Sequence, residues 1–548
     1  MKESIQLQLT DQPEIKAGFT KLVEHNIISR IWDHDHTVWK PDPAEISNRL
    51  GWLHIIEAMH KASPRMQALA NDLQREGYKS VLLLGMGGSS LAPEVFSRTF
   101  DTSAGLKLSV LDSTDPGAVL SAAEKLDLAK TLFIVATKSG GTVETLSFFK
   151  YFYNQVAEAL GEAKAGEHFI AITDPGSKLV DIANRYKFRE TFLNDPNIGG
   201  RYSVLSFFGL VPAALTGVDV PKLLQRAQAM ADQCGLQVPV NENPGAVLGT
   251  VLGQLAISGK DKVTFASSPS IADFPNWVEQ LIAESTGKEG KGILPVAGEP
   301  LGSPDIYGDD RVFVYLQVGD DSTHTSDLNR LEDAGHPVLY LQLSDVHDLG
   351  GQFFVWEFAT AIASYFLKIN PFDQPNVESA KVLARQMVTA YSETGVLPEG
   401  ETTDPSTEAL TEFLSSANPG DYIAFQAYVQ PTPGVESALQ ALRLEARDRY
   451  KVATSLGFGP RFLHSTGQIH KGDAGNGLFI QFTSQASKEK DIDIPDEAGG
   501  AKSTMTFGTL KMAQALGDAQ ALGDADRRVI SIPLGENPEN TIQQMRKR

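Results

Sequence analysis

One cysteine, Cys234, stands in 548 residues. An intrachain disulfide is therefore excluded, and a reducing compartment suits the chain. Basic residues are the next shortage: 48 Lys and Arg against 68 Asp and Glu leave a formal net charge of −20. A general nucleic-acid or anionic-membrane surface needs a basic field, which this balance denies. An anionic ligand must then be met by a few placed cations and by backbone N–H groups. Long apolar runs are missing too. The longest, about Val204 to Val218, contains Ser206, Pro212 and Thr216 and is too short to span a bilayer. The opening residues, MKESIQLQLTDQPE, carry no apolar signal region. Together these absences set the expectation of a cytoplasmic protein.

What is present begins with two apolar runs that break into small residues. Val81-Leu82-Leu83-Leu84 empties into Gly85-Met86-Gly87-Gly88-Ser89-Ser90, and Leu132-Phe133-Ile134-Val135-Ala136 into Thr137-Lys138-Ser139-Gly140-Gly141-Thr142. A strand that runs through Gly, Ser and Thr into a helix presents unpaired N–H groups and hydroxyls to an anion. Two such loops about fifty residues apart suggest one phosphate pocket at the carboxyl edge of a parallel sheet. The first loop nearly spells the dinucleotide fingerprint, but Ser90 stands at its sixth position; taken alone it could be only a tight turn. No GxxxxGK[ST] sequence is present, which excludes a nucleoside-triphosphate P-loop of that type. The hydroxyls of Thr137, Ser139 and Thr142 with the charge of Lys138 fit capture of a monophosphate better.

The chain is too long for one core. Residues 1–75 read as a polar helical segment, with Leu50, Leu53, Ile56 and Met59 at three- and four-residue steps. From 76 to 220, apolar runs at 81–84, 107–111, 131–136 and 168–172 alternate with helical stretches, the pattern of a doubly wound α/β domain. A second alternating set is expected over 221–395 and a third over 396–548. The last opens with a loop rich in Pro, Thr and Glu and contains strand-like runs at 422–429, 451–454, 478–482 and 529–532.

Three further segments carry chemistry: Gly199-Gly200-Arg201-Tyr202-Ser203, Gln280-Leu281-Ile282-Ala283-Glu284-Ser285-Thr286-Gly287-Lys288, and Asn370-Pro371-Phe372-Asp373-Gln374-Pro375 followed by Lys381. Gln280 and Glu284 are one turn apart, so both can address one ligand. Gly287 is a plausible C-cap that leaves Glu284 in the last turn. There the negative helix end disfavours a carboxylate and would raise its pKa, as a general base requires. A solvated helix-terminal Glu and a surface Arg201 are the ordinary alternatives. Asp33-His34-Asp35-His36 could suggest a metal, but successive residues rarely share one, so a solvated turn is expected and no metal is assigned.

The two loops resemble those of the sugar isomerase (SIS) fold, and with the three segments the chain resembles the phosphoglucose isomerase family. Residues beyond 385 look most like the isomerase half of bifunctional transaldolase/phosphoglucose isomerase proteins. The resemblance implies two SIS-type doubly wound parallel-sheet domains plus a C-terminal α/β lobe, and isomerisation of glucose 6-phosphate to fructose 6-phosphate without a cofactor. It implies phosphate binding by Gly88, Ser89, Thr137, Lys138, Ser139 and Thr142, and hydroxyl contacts from Gln280 and Gln374. Glu284 would be the base, Arg201 the enediolate stabiliser and Lys381 a donor to the ring oxygen. The ring-opening histidine departs from the common pattern. His324, His336 and His347 lack a family context, whereas His464, in Leu463-His464-Ser465-Thr466-Gly467-Gln468, has the right neighbours; a core or interface histidine is its alternative.

The resemblance also implies a homodimer whose subunits could share the site, and a transaldolase partner or fusion. Two other activities fit the same loops: a non-catalytic SIS regulator that binds sugar phosphates, and a dual phosphoglucose/phosphomannose isomerase. The first would not need Glu284, Arg201 and Lys381 together.

Overall fold

The computed structural model describes residues 5–6, 8–485 and 490–546. Residues 1–4 and 7 of the expected N-terminal segment, and 486–489 and 547–548 of the expected C-terminal lobe, lie outside the described residues. In chain order the strands are β1 (Ile5–Gln6), β2 (Ser80–Gly85), β3 (Lys107–Leu111), β4 (Thr131–Ala136), β5 (Phe169–Thr173) and β6 (Glu190–Leu193). There follow β7 (Lys262–Ser267), β8 (Leu294–Val296), β9 (Arg311–Val318) and β10 (Val338–Leu343). The last are β11 (Tyr422–Tyr428), β12 (Ala453–Phe458), β13 (Gly477–Thr483), β14 (Asp493–Pro495), β15 (Ser503–Thr506) and β16 (Arg528–Pro533).

Three sheets organise the α/β fold, ordered β3-β2-β4-β5-β6, β1-β10-β9-β7-β8 and β12-β11-β13-β16. Every ladder in them is parallel except β1 on β10. Parallel sheets are covered on both faces, so their strands can be apolar throughout. Leu132 to Ala136 are all buried without remainder. In the first sheet the chain leaves β2 toward β3 and then crosses to β4, so the strand order reverses between β2 and β4. Gly85 is in register with Ala136 across that pair, and the two small-residue loops leave neighbouring strands at one level, at the switch point where such sheets bind ligands.

The N-terminal segment departs from the helical expectation in two places. Ile5 and Gln6 add an antiparallel edge strand to the second sheet. The long helix begins only at Ile55, because Leu50 bridges Ile198 and the Gly51 N–H donates to the Asn197 carbonyl at 2.9 Å. That tertiary pairing overrides local helical spacing. Trp32 and Trp52 of this segment pack on Phe354, and Trp52 also on Tyr202, so the N-terminal residues fill the seam between the first two sheets.

The third sheet is stapled to the first by helix Phe507–Asp524 and the turn Arg461–His464. Lys511 Nζ meets Asp115 at 2.8 Å with both side chains buried, and Thr114 Oγ1 donates to Gln514 Oε1 at 2.8 Å. Arg461 pairs with Glu94 and, at 3.2 Å, with Asp112. The hairpin β14–β15 lies on the first sheet's helix Val143–Leu160, where Phe507 stacks on Phe148. No helix among the described residues is long and apolar enough to cross a membrane.

Candidate functional site

Helix Phe274–Thr286 starts on Pro275 in its first turn and ends on Gly287. Its last two turns place Gln280 and Glu284 on one face, with Gln280 Nε2 donating to Glu284 Oε2 at 3.1 Å. The same amide nitrogen donates to the His464 carbonyl at 2.8 Å. Facing Glu284, Arg201 is 2% exposed and sits in the turn after Gly199-Gly200. Its Nη1 lies 3.4 Å from Glu284 Oε1.

Every nitrogen of Arg201 has a partner. Nε donates to Ser285 Oγ at 2.8 Å, Nη1 to Gln374 Oε1 at 3.0 Å, and Nη2 to the Pro371 and Asp373 carbonyls at 2.6 and 3.0 Å. A planar donor fork held this way has one orientation. Lys288, buried two residues past Thr286, donates to the Asp373 carbonyl at 2.6 Å and Oδ1 at 2.7 Å. Burial and the nearby Arg201 charge pull its ammonium down to about 8 against the pull of Asp373.

The first loop approaches this group at closest quarters. A Cβ on Gly88 would stand 2.1 Å from the Gly200 carbonyl oxygen, and one on Gly87, at φ +54°, 2.8 Å from that of His464. Only glycine lets the loop, the Arg201 turn and the His464 turn meet. Ser89 is nearly buried beside them. In the second loop, Thr137 Oγ1 and Thr142 Oγ1 are 2.7 Å apart, and Ser139 Oγ accepts the Gly141 N–H at 3.3 Å. Lys138 is turned toward Asp174, with which it pairs, and toward the Pro196 carbonyl at 3.0 Å. Its charge is therefore shared with a carboxylate.

His464 reaches the site from the third sheet of the same chain. Its Nε2 lies 3.0 Å from Glu144 Oε1. Glu144 is 4% exposed, in the first turn of the helix that follows the second loop, and also accepts from Gln514 Nε2 at 2.7 Å. Burial pushes the Glu144 carboxyl up, but the His464 ring, then a backbone hydrogen bond and the Lys381 charge, outweigh it and hold the group below its usual value. Lys381, half-exposed in helix Pro375–Thr394, pairs with Glu378 at 2.8 Å. The start of that helix is held by Gln468, whose Oε1 accepts the Asn376 and Val377 N–H groups at 3.0 and 3.2 Å. Its Nε2 donates to the Gly287 carbonyl at 2.8 Å. One amide thus ties the end of the Glu284 helix to the start of the Lys381 helix.

Sequence reasoning passed over Glu144, Lys288 and Gln468. Glu144 looks like a routine acidic residue at a helix start; no spacing in the sequence marks it, and its burial, shared with Thr145, Ser147 and Phe148, emerges only in the fold. The sequence Asp33–His36 forms a turn: Asp35 accepts the Thr37 N–H at 2.9 Å, and His34 Nε2 lies 2.9 Å from His54 Nε2. Among the described residues no group of three His, Cys, Asp or Glu side chains could hold a metal ion.

Comparison with known proteins adds three findings. The family model described as phosphoglucose isomerase matches residues 62–293, a stretch that includes both loops, Arg201 and Glu284 and stops short of Gln374, Lys381 and His464. The chain is 30% identical over 363 residues to glucose-6-phosphate isomerase of Rubrobacter xylanophilus, covering 57% of this chain and 83% of that protein. It is 29% identical over 358 residues to the probable glucose-6-phosphate isomerase of Methanococcus maripaludis, covering 57% and 80%. Among solved structures it resembles a glucose-6-phosphate isomerase from Chlamydia trachomatis, with a TM-score of 0.58 at 19% identity over 69% of this chain and 86% of the other. A hypothetical protein from Thermus thermophilus gives a TM-score of 0.59 at 23% identity over 70% and 99%. These two likenesses concern the fold.

Proposed function

Because the chain belongs to the phosphoglucose isomerase family, we propose that it interconverts D-glucose 6-phosphate and D-fructose 6-phosphate through an enediolate. The observation that carries this reading is the pairing of Glu284 with Arg201 at 3.4 Å, a carboxylate beside a cation held in one orientation and close to the first small-residue loop. The phosphate anchors on the loops at the switch point, through Gly88 and Ser89 on one side and Thr137, Ser139 and Thr142 on the other, with Lys138 adding charge nearby. His464 and Lys381 assist ring opening, one taking the proton of the anomeric hydroxyl while the other gives one to the ring oxygen. Glu284 then takes the proton from C2. The C–H electrons form the C1–C2 double bond and the C1 carbonyl electrons move onto oxygen, where Arg201 stabilises the charge. The O2 hydroxyl proton passes to O1; the O2 electrons then form the C2 carbonyl as the C1–C2 double-bond electrons take the proton back from Glu284 at C1, which gives the ketose.

Gln280 fixes the Glu284 carboxylate, and Gln374, held by Arg201, faces the sugar hydroxyls. The same account takes the units 1–75, 76–220, 221–395 and 396–548 as the working domains. It also takes the protein to be a cytoplasmic homodimer that can act beside a transaldolase, which would make or consume the same fructose 6-phosphate.

A coupled assay with glucose 6-phosphate and with mannose 6-phosphate, using Glu284→Gln as control, tests the reading. Turnover of glucose 6-phosphate is expected. Well-folded protein that turns over no hexose phosphate overturns it.

A further inference from the structure

Lys288 is buried beside Arg201, yet no step of the proposed isomerisation uses it. Its side chain is 2% exposed, where a lone ammonium is strongly disfavoured. The main chain delivers it from a rigid turn. Lys288 and Lys291 form an antiparallel bridge, with the Lys288 N–H on the Lys291 carbonyl at 2.9 Å, and Glu289 and Gly290 between them both have positive φ. That is the backbone of a tight two-residue hairpin turn. The Gly290 N–H donates to the Gly472 carbonyl at 3.0 Å, which ties the turn to helix Gly467–Gly472.

The ammonium grips Asp373 twice, at the carboxylate Oδ1 (2.7 Å) and at the carbonyl oxygen (2.6 Å). The same carbonyl oxygen accepts Arg201 Nη2 at 3.0 Å. Two buried cations thus share one oxygen, which needs negative charge close by to be tolerated. Asp373 supplies one such charge, and Glu284, 3.4 Å from Arg201 Nη1, supplies the other. The group balances as two cations and two carboxylates.

Removing Lys288 upsets that balance in a specific way. Arg201 then faces two carboxylates alone. Asp373 Oδ1 lies next to the carbonyl that Arg201 Nη2 already holds, and a guanidinium fork takes a carboxylate readily. The fork is free to turn from Glu284 toward Asp373. Positive charge fixed in advance is what stabilises an oxyanion as it forms, so a guanidinium drawn aside costs rate rather than binding.

We propose that Lys288 is a positioning residue for the isomerisation: its ammonium holds and neutralises Asp373, and so keeps the Arg201 fork aimed at Glu284 and at the forming enediolate. The inference rests on the isomerase reading and acts through Arg201 rather than on the sugar. It also gives activity an alkaline limit. Burial and the Arg201 charge hold the Lys288 ammonium down to about 8, against Asp373 and Glu284, which favour its charged form. Above that pH the lysine is neutral, Asp373 stands uncompensated, and kcat falls.

Steady-state kinetics on glucose 6-phosphate from neutral to alkaline pH test this, with the unmodified chain, Lys288→Met, and Lys288→Met combined with Asp373→Asn. At neutral pH, Lys288→Met is expected to lose about tenfold or more in kcat while KM changes by less than about threefold. Adding Asp373→Asn removes the stranded charge and should recover at least about threefold of that loss, which lost packing alone would not allow. In the unmodified chain kcat should fall as pH rises through about 8, and the double variant should lack that fall. Denaturant melts of the same proteins need no substrate: the double variant should melt at a higher midpoint than Lys288→Met. An unmodified chain without turnover would count against the isomerase reading, and the melts would still judge the Lys288–Asp373 pair. Should Lys288→Met not fold, the double variant and the pH profile decide. The inference is overturned if Lys288→Met keeps its kcat, if the double variant is no more active or no more stable than Lys288→Met, or if the double variant keeps the alkaline fall.

Discussion

His464 and Glu144, 320 positions apart in the chain, meet at 3.0 Å between Nε2 and Oε1, with both side chains largely out of solvent. A buried carboxylate opposite a ring nitrogen fixes the ring's orientation and decides which nitrogen carries the proton. Glu144→Gln keeps the shape and removes the charge. Loss of a charge-assisted hydrogen bond of this kind costs about 1.5–3 kcal/mol, so kcat on ring-closed glucose 6-phosphate is expected to fall about 10–100-fold, measured by stopped-flow or coupled assay.

The same pair sets a pH dependence of stability. Burial opposes ionisation of Glu144, but His464, a backbone hydrogen bond and Lys381 win and its folded value lies below the usual one of about 4.5. The unfolded chain therefore binds this proton more readily. The stabilisation is fully present above about 4.5 and is lost as pH falls through the lower folded value. Thermal melts from pH 7 down to pH 3 should show a steeper loss in the unmodified chain than in Glu144→Gln.

Gly88 packs its α-carbon against Gly200. Gly88→Ala places a methyl 2.1 Å from a backbone oxygen, which no side-chain rotation relieves. Overpacking of this kind costs about 1–3 kcal/mol. The loop and the Arg201 turn must separate, so KM for the sugar phosphate is expected to rise together with a lowered melting temperature.

The third sheet's hold on the first depends on Lys511 and Asp115. Lys511→Met leaves a buried carboxylate without its cation, a loss of about 3–5 kcal/mol. Asp115→Asn in the same chain should restore part of it. Denaturant melts of the two variants check both statements.

What the sequence made legible was local. The paired strand-to-loop breaks sit on adjacent parallel strands because continuous apolar runs bounded by glycine have few other uses. Gln280 and Glu284 share a face because helical spacing requires it. The sequence did not show what brings distant parts together. Glu144 meets His464 only because Lys511, Gln514 and Arg461 dock the third sheet, and those pairings link positions hundreds of residues apart. Ile5 and Gln6 become a strand for the same reason, since only the exposed edge of β10 makes them one. Lys138 is a further case: its pairing with Asp174 depends on how the end of β5 is placed, which no spacing in the sequence encodes.

The central claim is that Glu284, beside Arg201, moves the proton between C2 and C1. NMR of glucose 6-phosphate incubated with the chain in D2O tests it most directly, by following fructose 6-phosphate and solvent deuterium at C1 and C2 together. The account predicts both signals with the unmodified chain. It also predicts their joint decrease by about 10²–10⁴-fold, the usual contribution of a general base, in a Glu284→Gln variant of unchanged fold. Conversion and deuterium incorporation at the unmodified rate in that variant would contradict it.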